Sequence, residues 1–446
     1  MLEAVAELTR RVLTRQEPAT DDELSQARLP VGPLDAERFP SSFDWVTQAH
    51  RRTKKFNFPQ EKWNDVFGDA GWADAVRIAN AAGGIVAYSI FDGSVLRLLA
   101  IIDEQTTITA ISPKIALRNS PDKLRREWAQ LGNLLEGFWT QALTHWRSRY
   151  SGSSLLHALS IDIGETAYIT HLSDLAFRQV LPALGLTATV PAGGLTHLPS
   201  IRLAIPRVSR PAPGPSTRLL HIGDATNTLI GPWLEAAALA QLPGIEVRSL
   251  LDTDITAEGF RRQSEWAPVI IASCHGIINT ADLLGSALGL GVQALRIEDV
   301  ATSDLEGVDL LFLAACEMGF GYADSHEREA LSFANASLVG GSRYTVAPAL
   351  PVNDLTSALL VAEFAAQLTS ASPPMAYHRA LEKTEQLTTA QFRQQLLDMW
   401  ESLRRSALAQ RMPWPAIALD PVIKAQIKVA SDQRSWQKMT FVLSGF

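Results

Sequence analysis

The feature that most constrains this chain is the alternation of short, unbroken apolar runs with amphipathic segments after residue 217. The runs at 268–273 (PVIIAS) and 309–315 (DLLFLAA) show no polar alternation. A strand that is apolar on both faces has to be covered on both faces. The pattern predicts strands over 218–222, 246–251, 268–273, 309–315 and 342–349. Between them it predicts helices over 232–242, 256–264, 327–339 and 354–368, with a short helix or turn at 297–302. Asp254 or Thr256 is expected to cap the second helix. Strands and helices in that order imply an α/β fold, a mostly parallel sheet sandwiched by helices.

The rest of the 446 residues is organised differently. Residues 206–216 (PRVSRPAPGPS) hold four prolines. Proline fixes φ and removes a backbone donor, so this stretch reads as a linker. Before it, 85–90, 95–102 and 107–111 read as a meander of strands with a turn at Asp92-Gly93. A long helix over 121–150, a strand over 155–161 and a helix over 172–184 follow. Leu2, Val5, Leu8, Val12 and Leu13 lie at helical spacing in the first sixteen residues. The basic run from Arg51 to Lys55 reads either as a contact for an acidic partner or as a solvated helix face. The expected division is a mostly helical extension at 1–80, a first half at 81–205, the linker at 206–216 and a second half at 217–446.

Composition excludes several function classes. A net charge of −7 gives no general affinity for nucleic acid or anionic membranes. No window of about 18 apolar residues is present, so no membrane insertion is expected. The N-terminus lacks the basic-then-apolar order of a signal peptide. Cys274 and Cys316 are the two cysteines, too few for a disulfide framework or a Cys-rich zinc site. A reducing cytoplasm is therefore the expected compartment, and neither a metal nor another cofactor is expected.

In a sheet of this kind, sites form just past the carboxyl ends of strands. Two strand ends carry reactive side chains: Cys274-His275-Gly276 after VIIAS, and Cys316-Glu317 after DLLFLAA. Their separation leaves room for one crossover, so His275 and Cys316 are expected on adjacent strands at one sheet edge. A thiol is mostly protonated at neutral pH, and a nearby imidazole activates it for attack on a carbonyl. The N–H groups of Gly276 and Cys316 are candidate donors to the oxyanion. On spacing alone the same residues also suit a small buried thiol and a satisfied core histidine. Cys274 precedes His275 directly, so it points to the other face and reads as core.

At these residues the chain resembles the CHAT domain, a caspase-like peptidase domain related to caspases, separases and gingipains. The segments that carry the likeness are VPAGGLTHLPSIRLA, Ile222-Gly223-Asp224, Glu235, Leu250 with Asp254-Ile255-Thr256, Cys274-His275-Gly276, DLLFLAACEMGFG, EREALSFANASLVGGSRYTV, ALPVNDLTSALLVAEFAAQL and WQKMTFVLSG. The likeness covers roughly residues 83–446. It departs from the family at Cys274, Met318 and Leu350, where relatives usually carry an alanine or glycine, a threonine and a tryptophan. The resemblance implies a degenerate caspase-like first half that buttresses an active second half. It also implies a Cys-His dyad of Cys316 and His275.

Further expectations follow from the likeness. Asp354 matches the position that lines the S1 pocket of relatives that cut after Arg or Lys, and it also reads as a plain helix cap. Asp224, past the first strand of the second half, is a second S1 candidate, and Glu317 is expected to orient the active-site loop. The implied activity is a cysteine endopeptidase that cuts a protein partner after a basic residue. The implied setting is bacterial defence or regulated cell death, with a gasdermin-like target by resemblance only. Residues 1–80 are the expected contact for a regulatory partner. The rival readings are a catalytically silent scaffold that holds a peptide or partner protein, and another Cys-nucleophile enzyme such as an amidase or transpeptidase. Arg207 and Arg210 lie in the proline-rich stretch, where exposed basic residues invite self-cleavage. Intact mass of the wild type beside a Cys316→Ala variant tests this, with loss of a fragment in the wild type alone as the expected outcome.

Overall fold

The computed structural model describes residues 31–33, 72–82, 84–91, 95–103, 106–112, 121–150, 156, 158–164, 167–186, 195–198, 213–223, 228–251, 255–277, 286–290, 294–315, 332–348, 352–413, 416–433 and 441–445. The chain divides into two compact units, 1–210 with 320–335 and 442–446, and 211–319 with 336–441. The helix read at 1–16, the basic run at 51–55, the Asp92-Gly93 turn and most of the 206–216 stretch lie outside the described residues.

The first unit is built on β1 (Val31–Pro33), β2 (Ile85–Phe91), β3 (Leu96–Ile101), β4 (Thr106–Ile111), β5 (Ala158–Gly164) and β6 (Leu195–Leu198). The strand order is β1-β4-β3-β2-β5-β6, and the closing strand Phe441–Gly445 pairs beside β6 through Ser444 and His197. The meander β2 to β4 is antiparallel, whereas β5 and β6 run parallel to β2. Among the described residues this unit holds the helices α1 (Trp72–Ala82), α2 (Pro121–Arg149) and α3 (Ala167–Ala183). Trp139 on α2 sets their packing. Its ring meets Phe177 of α3 edge-on at 5.0 Å, and its indole N–H donates to Ser173 at 3.0 Å. A buried indole needs such a partner for its one donor.

The second unit holds β7 (Arg218–Gly223), β8 (Glu246–Leu250) and β9 (Val269–Ser273). It continues with three very short strands, β10 (His275–Ile277), β11 (Ala287–Gly289) and β12 (Leu295–Arg296), and then β13 (Leu310–Leu313) and β14 (Tyr344–Pro348). The main sheet runs β8-β7-β9-β13-β14 and is parallel throughout. β10, β11 and β12 form a separate antiparallel sheet in that order. Every residue of β9 and β13 is buried, as unbroken apolar runs require. Phe312 on β13 lies among Phe364 at 5.2 Å, Phe441 at 5.4 Å and Tyr377 at 6.3 Å.

The helices start where their sequences provide acceptors. α4 (Gly231–Leu239) has proline in its first turn. α5 (Ala257–Ser264) is capped by Thr256, whose hydroxyl accepts from the Gly259 N–H at 3.0 Å. The short α6 (Ile297–Ala301) and α7 (Phe333–Val339) follow. α8 (Asp354–Gln367) is capped by Asn353, which accepts from the Thr356 N–H at 3.2 Å. The helical pattern read from the sequence stops at 368, and the structure adds α9 (Pro373–Glu385), α10 (Thr389–Arg405) and α11 (Ala416–Asp432). Thr388 and Gln391 form a reciprocal capping box at the start of α10. Phe312→Ala, by opening the centre of this core, is expected to lower unfolding stability by roughly 3–5 kcal/mol in a urea titration.

Candidate active site

In the second unit, β7 sends its chain outward to β8, whereas β9 sends its chain the other way to β13. Ligands in open α/β sheets bind where the strand order reverses in this way, past the carboxyl ends of the strands. The reversal falls between β7 and β9, so Thr228, after β7, and His275, after β9, are placed to line a site.

Beneath that point lies a buried polar cluster. Glu235 of α4 is 1% exposed and its carboxylate Oε2 lies 2.9 Å from His221 Nε2 of β7. The Ser273 hydroxyl at the end of β9 donates to the same oxygen at 2.5 Å. A carboxylate cut off from water must find donors inside the protein. Here the donors come from the two strands that diverge, so one side chain joins β7, β9 and α4 at the site's base.

Past Ser273 the chain leaves the main sheet. Cys274 is buried at the break between β9 and β10, and His275 is exposed. His275 opens β10 and pairs in register with Gly289 of β11. Its Nε2 lies 2.6 Å from the Thr228 hydroxyl, in the segment between β7 and α4. Gly276 is half-buried and faces Leu288 across the small sheet. An imidazole with one nitrogen engaged by a hydroxyl has a fixed ring orientation and a second nitrogen available to a neighbour.

The neighbouring strand is β13. Leu310 pairs with Val269 and Leu313 with Ala272, a constant offset of 41 residues, and the Ala314 N–H continues the ladder by donating to the Ala272 carbonyl at 2.9 Å. Ala315 is buried at the end of the described segment. Cys316, Glu317 and Asp224 lie outside the described residues, as do Met318 and Leu350.

Asp354 follows β14, so it shares the carboxyl edge of the sheet with His275. It is not the cap of its own helix, since Asn353 takes that role. Instead its Oδ2 accepts from the Gly231 N–H at 3.2 Å, which closes the first turn of α4. Gly231 has to be glycine for this approach: a Cβ there would sit 2.7 Å from the Asp354 carbonyl oxygen. Asp354 also lines an open cleft of about 570 Å³ with Leu355, Pro421, Val422, Ala425 and Val429 and the amides Asn353 and Gln426. Among the described residues the carboxylate is the one charge in that lining, and Val422 and Val429 are about half exposed.

Sequence reasoning missed Thr228 and the partners of Glu235. A lone threonine in a loop carries no pattern, and the bond to His275 spans 47 residues. Glu235 stood out in the helix, but the donors it holds are legible only once β7 and β9 are side by side. Among the described residues no group of three His, Cys, Asp or Glu side chains is placed to hold a metal ion, and no helix is long and apolar enough to cross a membrane.

Residues 193–412 match the family model of the CHAT domain. No curated protein matches the chain. Among solved structures, two of the Saccharomyces cerevisiae separase–securin complex are similar. One is 8% identical with a TM-score of 0.43 over 85% of this chain and 34% of that one. The other is 10% identical with a TM-score of 0.46, over 85% and 32%. The complex of Porphyromonas gingivalis RgpB pro- and mature domains is 12% identical with a TM-score of 0.37, over 70% and 68%. This chain thus spans about a third of the length of the separase chains it resembles.

Glu235→Ala would leave the Ser273 hydroxyl and the His221 ring without their buried acceptor. The expected loss is about 1–3 kcal/mol of unfolding stability in urea, with Glu235→Gln costing less.

Proposed function

We propose, from the match of residues 193–412 to the CHAT-domain family model, that the chain is a cysteine endopeptidase with Cys316 as nucleophile and His275 as base. The observation that carries this reading is the offset of the β9–β13 ladder. It equals the sequence separation of His275 and Cys316, both of which follow the carboxyl ends of those adjacent parallel strands. The ladder brings the chain at Ser273 and the chain at Ala314 to neighbouring points of one sheet edge, and His275 and Cys316 each follow two residues later.

The chemistry then needs few parts. His275 takes the Cys316 proton, and the thiolate attacks the scissile carbonyl carbon. The N–H groups of Gly276 and Cys316 are the proposed donors to the oxyanion. Imidazolium His275 gives its proton to the leaving amine as the C–N bond breaks, leaving a thioester. Water attacks the thioester, His275 takes the water's proton, and the thiol returns as the acid product leaves. Thr228 acts as a positioning residue. With Nε2–H donating to its hydroxyl, the lone pair of Nδ1 is the one presented to the thiol. Glu317, directly after the nucleophile, is proposed to orient the loop that carries it.

For specificity we infer a basic residue on the acyl side of the bond. The cleft at Asp354 supports this, because a mostly apolar wall with one carboxylate and two amides suits the aliphatic stem and cationic end of Arg or Lys. Asp224 is the second proposed contact. The substrate on this reading is a protein partner, in a defence or cell-death setting that rests on family resemblance, and the thiol requires a reducing compartment such as the cytoplasm.

An Arg-directed acyloxymethyl ketone tests the reading. Covalent labelling is expected in the wild type and absent in Cys316→Ala. Labelling that persists in Cys316→Ala, or none in the wild type, sinks the dyad and favours a peptide-holding scaffold. Thr228→Val is expected to lower kcat roughly 10- to 100-fold while KM changes little, with Thr228→Ser restoring most of the rate.

A further inference from the structure

Beside His275 the surface changes character. β10 is three residues long and reads exposed, half-buried, exposed, so His275 and Ile277 share its outer face. Side chains two apart on a strand stand roughly 6.6 Å apart. Ile277 is 48% exposed, an uncommon state for a large aliphatic residue and one shared by few described side chains. Across the small sheet, Gly289 faces His275 and Ala287 faces Ile277. A Cβ added to Gly289 would meet His275 Cβ at 3.5 Å and Ile277 Cδ1 at 3.9 Å. The end of the isoleucine therefore reaches over Gly289, the residue that faces His275. The glycine keeps the floor between them clear of any side chain.

We propose that Ile277, with the glycine floor at Gly289, forms an apolar subsite for the substrate residue on the amine side of the scissile bond. The proposal rests on the peptidase reading above. In that reaction the imidazolium must reach the leaving nitrogen within hydrogen-bond distance. The residue that owns this nitrogen therefore sits over His275, and its side chain reaches the neighbouring position on the same strand face. An aliphatic ledge there is covered best by an aliphatic or aromatic side chain, whereas a carboxylate or ammonium would lose hydration without gaining a partner. The chain therefore selects on both sides of the bond, a cation before it and an apolar residue after it.

The test uses the full chain and quenched peptides with arginine before the bond and leucine, serine, aspartate or lysine after it. In the wild type, kcat/KM is expected to be roughly tenfold higher for leucine than for serine or aspartate. Ile277→Asp is expected to erase that preference and favour lysine, and Ile277→Leu to keep leucine ahead. A peptide methyl ester ending in arginine has methanol as its leaving group, which does not reach Ile277. Its hydrolysis is expected to stay within about twofold of wild type in both variants. An unchanged leucine preference in Ile277→Asp overturns the subsite. So does a fall of ester and peptide rates together, which would mark Ile277 as merely structural. Failure of the wild type to cleave any peptide or the ester overturns the peptidase reading itself, and the subsite with it.

Discussion

Glu235 has its carboxylate where water cannot reach it, and the rest of the site is arranged around the donors it takes. A bare buried carboxylate costs several kcal/mol, and the cost falls only when donors are supplied with good geometry. His221 supplies one from β7 and Ser273 another from β9, the two strands between which the sheet order reverses. The crevice at that reversal thus has a fixed floor. Two residues beyond Ser273 the chain reaches His275, and past β7 it reaches Thr228. The 2.6 Å contact between those two spans a gap whose width the buried cluster below sets.

Much of the second unit was legible because its physics is local. Val269 to Ala272 and Leu310 to Leu313 are unbroken apolar runs of strand length, and the structure buries every residue of both. The sequence reading set Cys274 apart as core, and the structure buries it at the break between β9 and β10 while His275 is exposed. The sheet at β10 to β12 was not legible, since strands of two or three residues show no period. The helices after 368 did carry a signal in Thr388 and Gln391, which have the spacing of a capping box. Asp354 reads as a helix cap in the sequence, whereas its actual hydrogen bond goes to a residue 123 positions away. No local pattern reports such a pairing.

The short antiparallel sheet gives the site a second layer of control. The main sheet fixes where the chain ends, but β10 fixes which way His275 and Ile277 face after it does. Pairing with β11 holds both side chains on one surface, and Gly289 keeps that surface low beside the imidazole. The orientation of His275 and the local shape around it are therefore set by one three-residue segment.

The bond from Asp354 to the Gly231 N–H has a consequence for how such a protein can diversify. One carboxylate both charges a cleft and anchors the first turn of α4, three residues after Thr228. A lineage that exchanges Asp354 also loosens the loop that holds the imidazole. A change at this position would have to arrive together with a second one that re-anchors α4. That makes the cleft slow to drift, and on the proposed reading it makes an engineer's single substitution there a poor route to a new specificity.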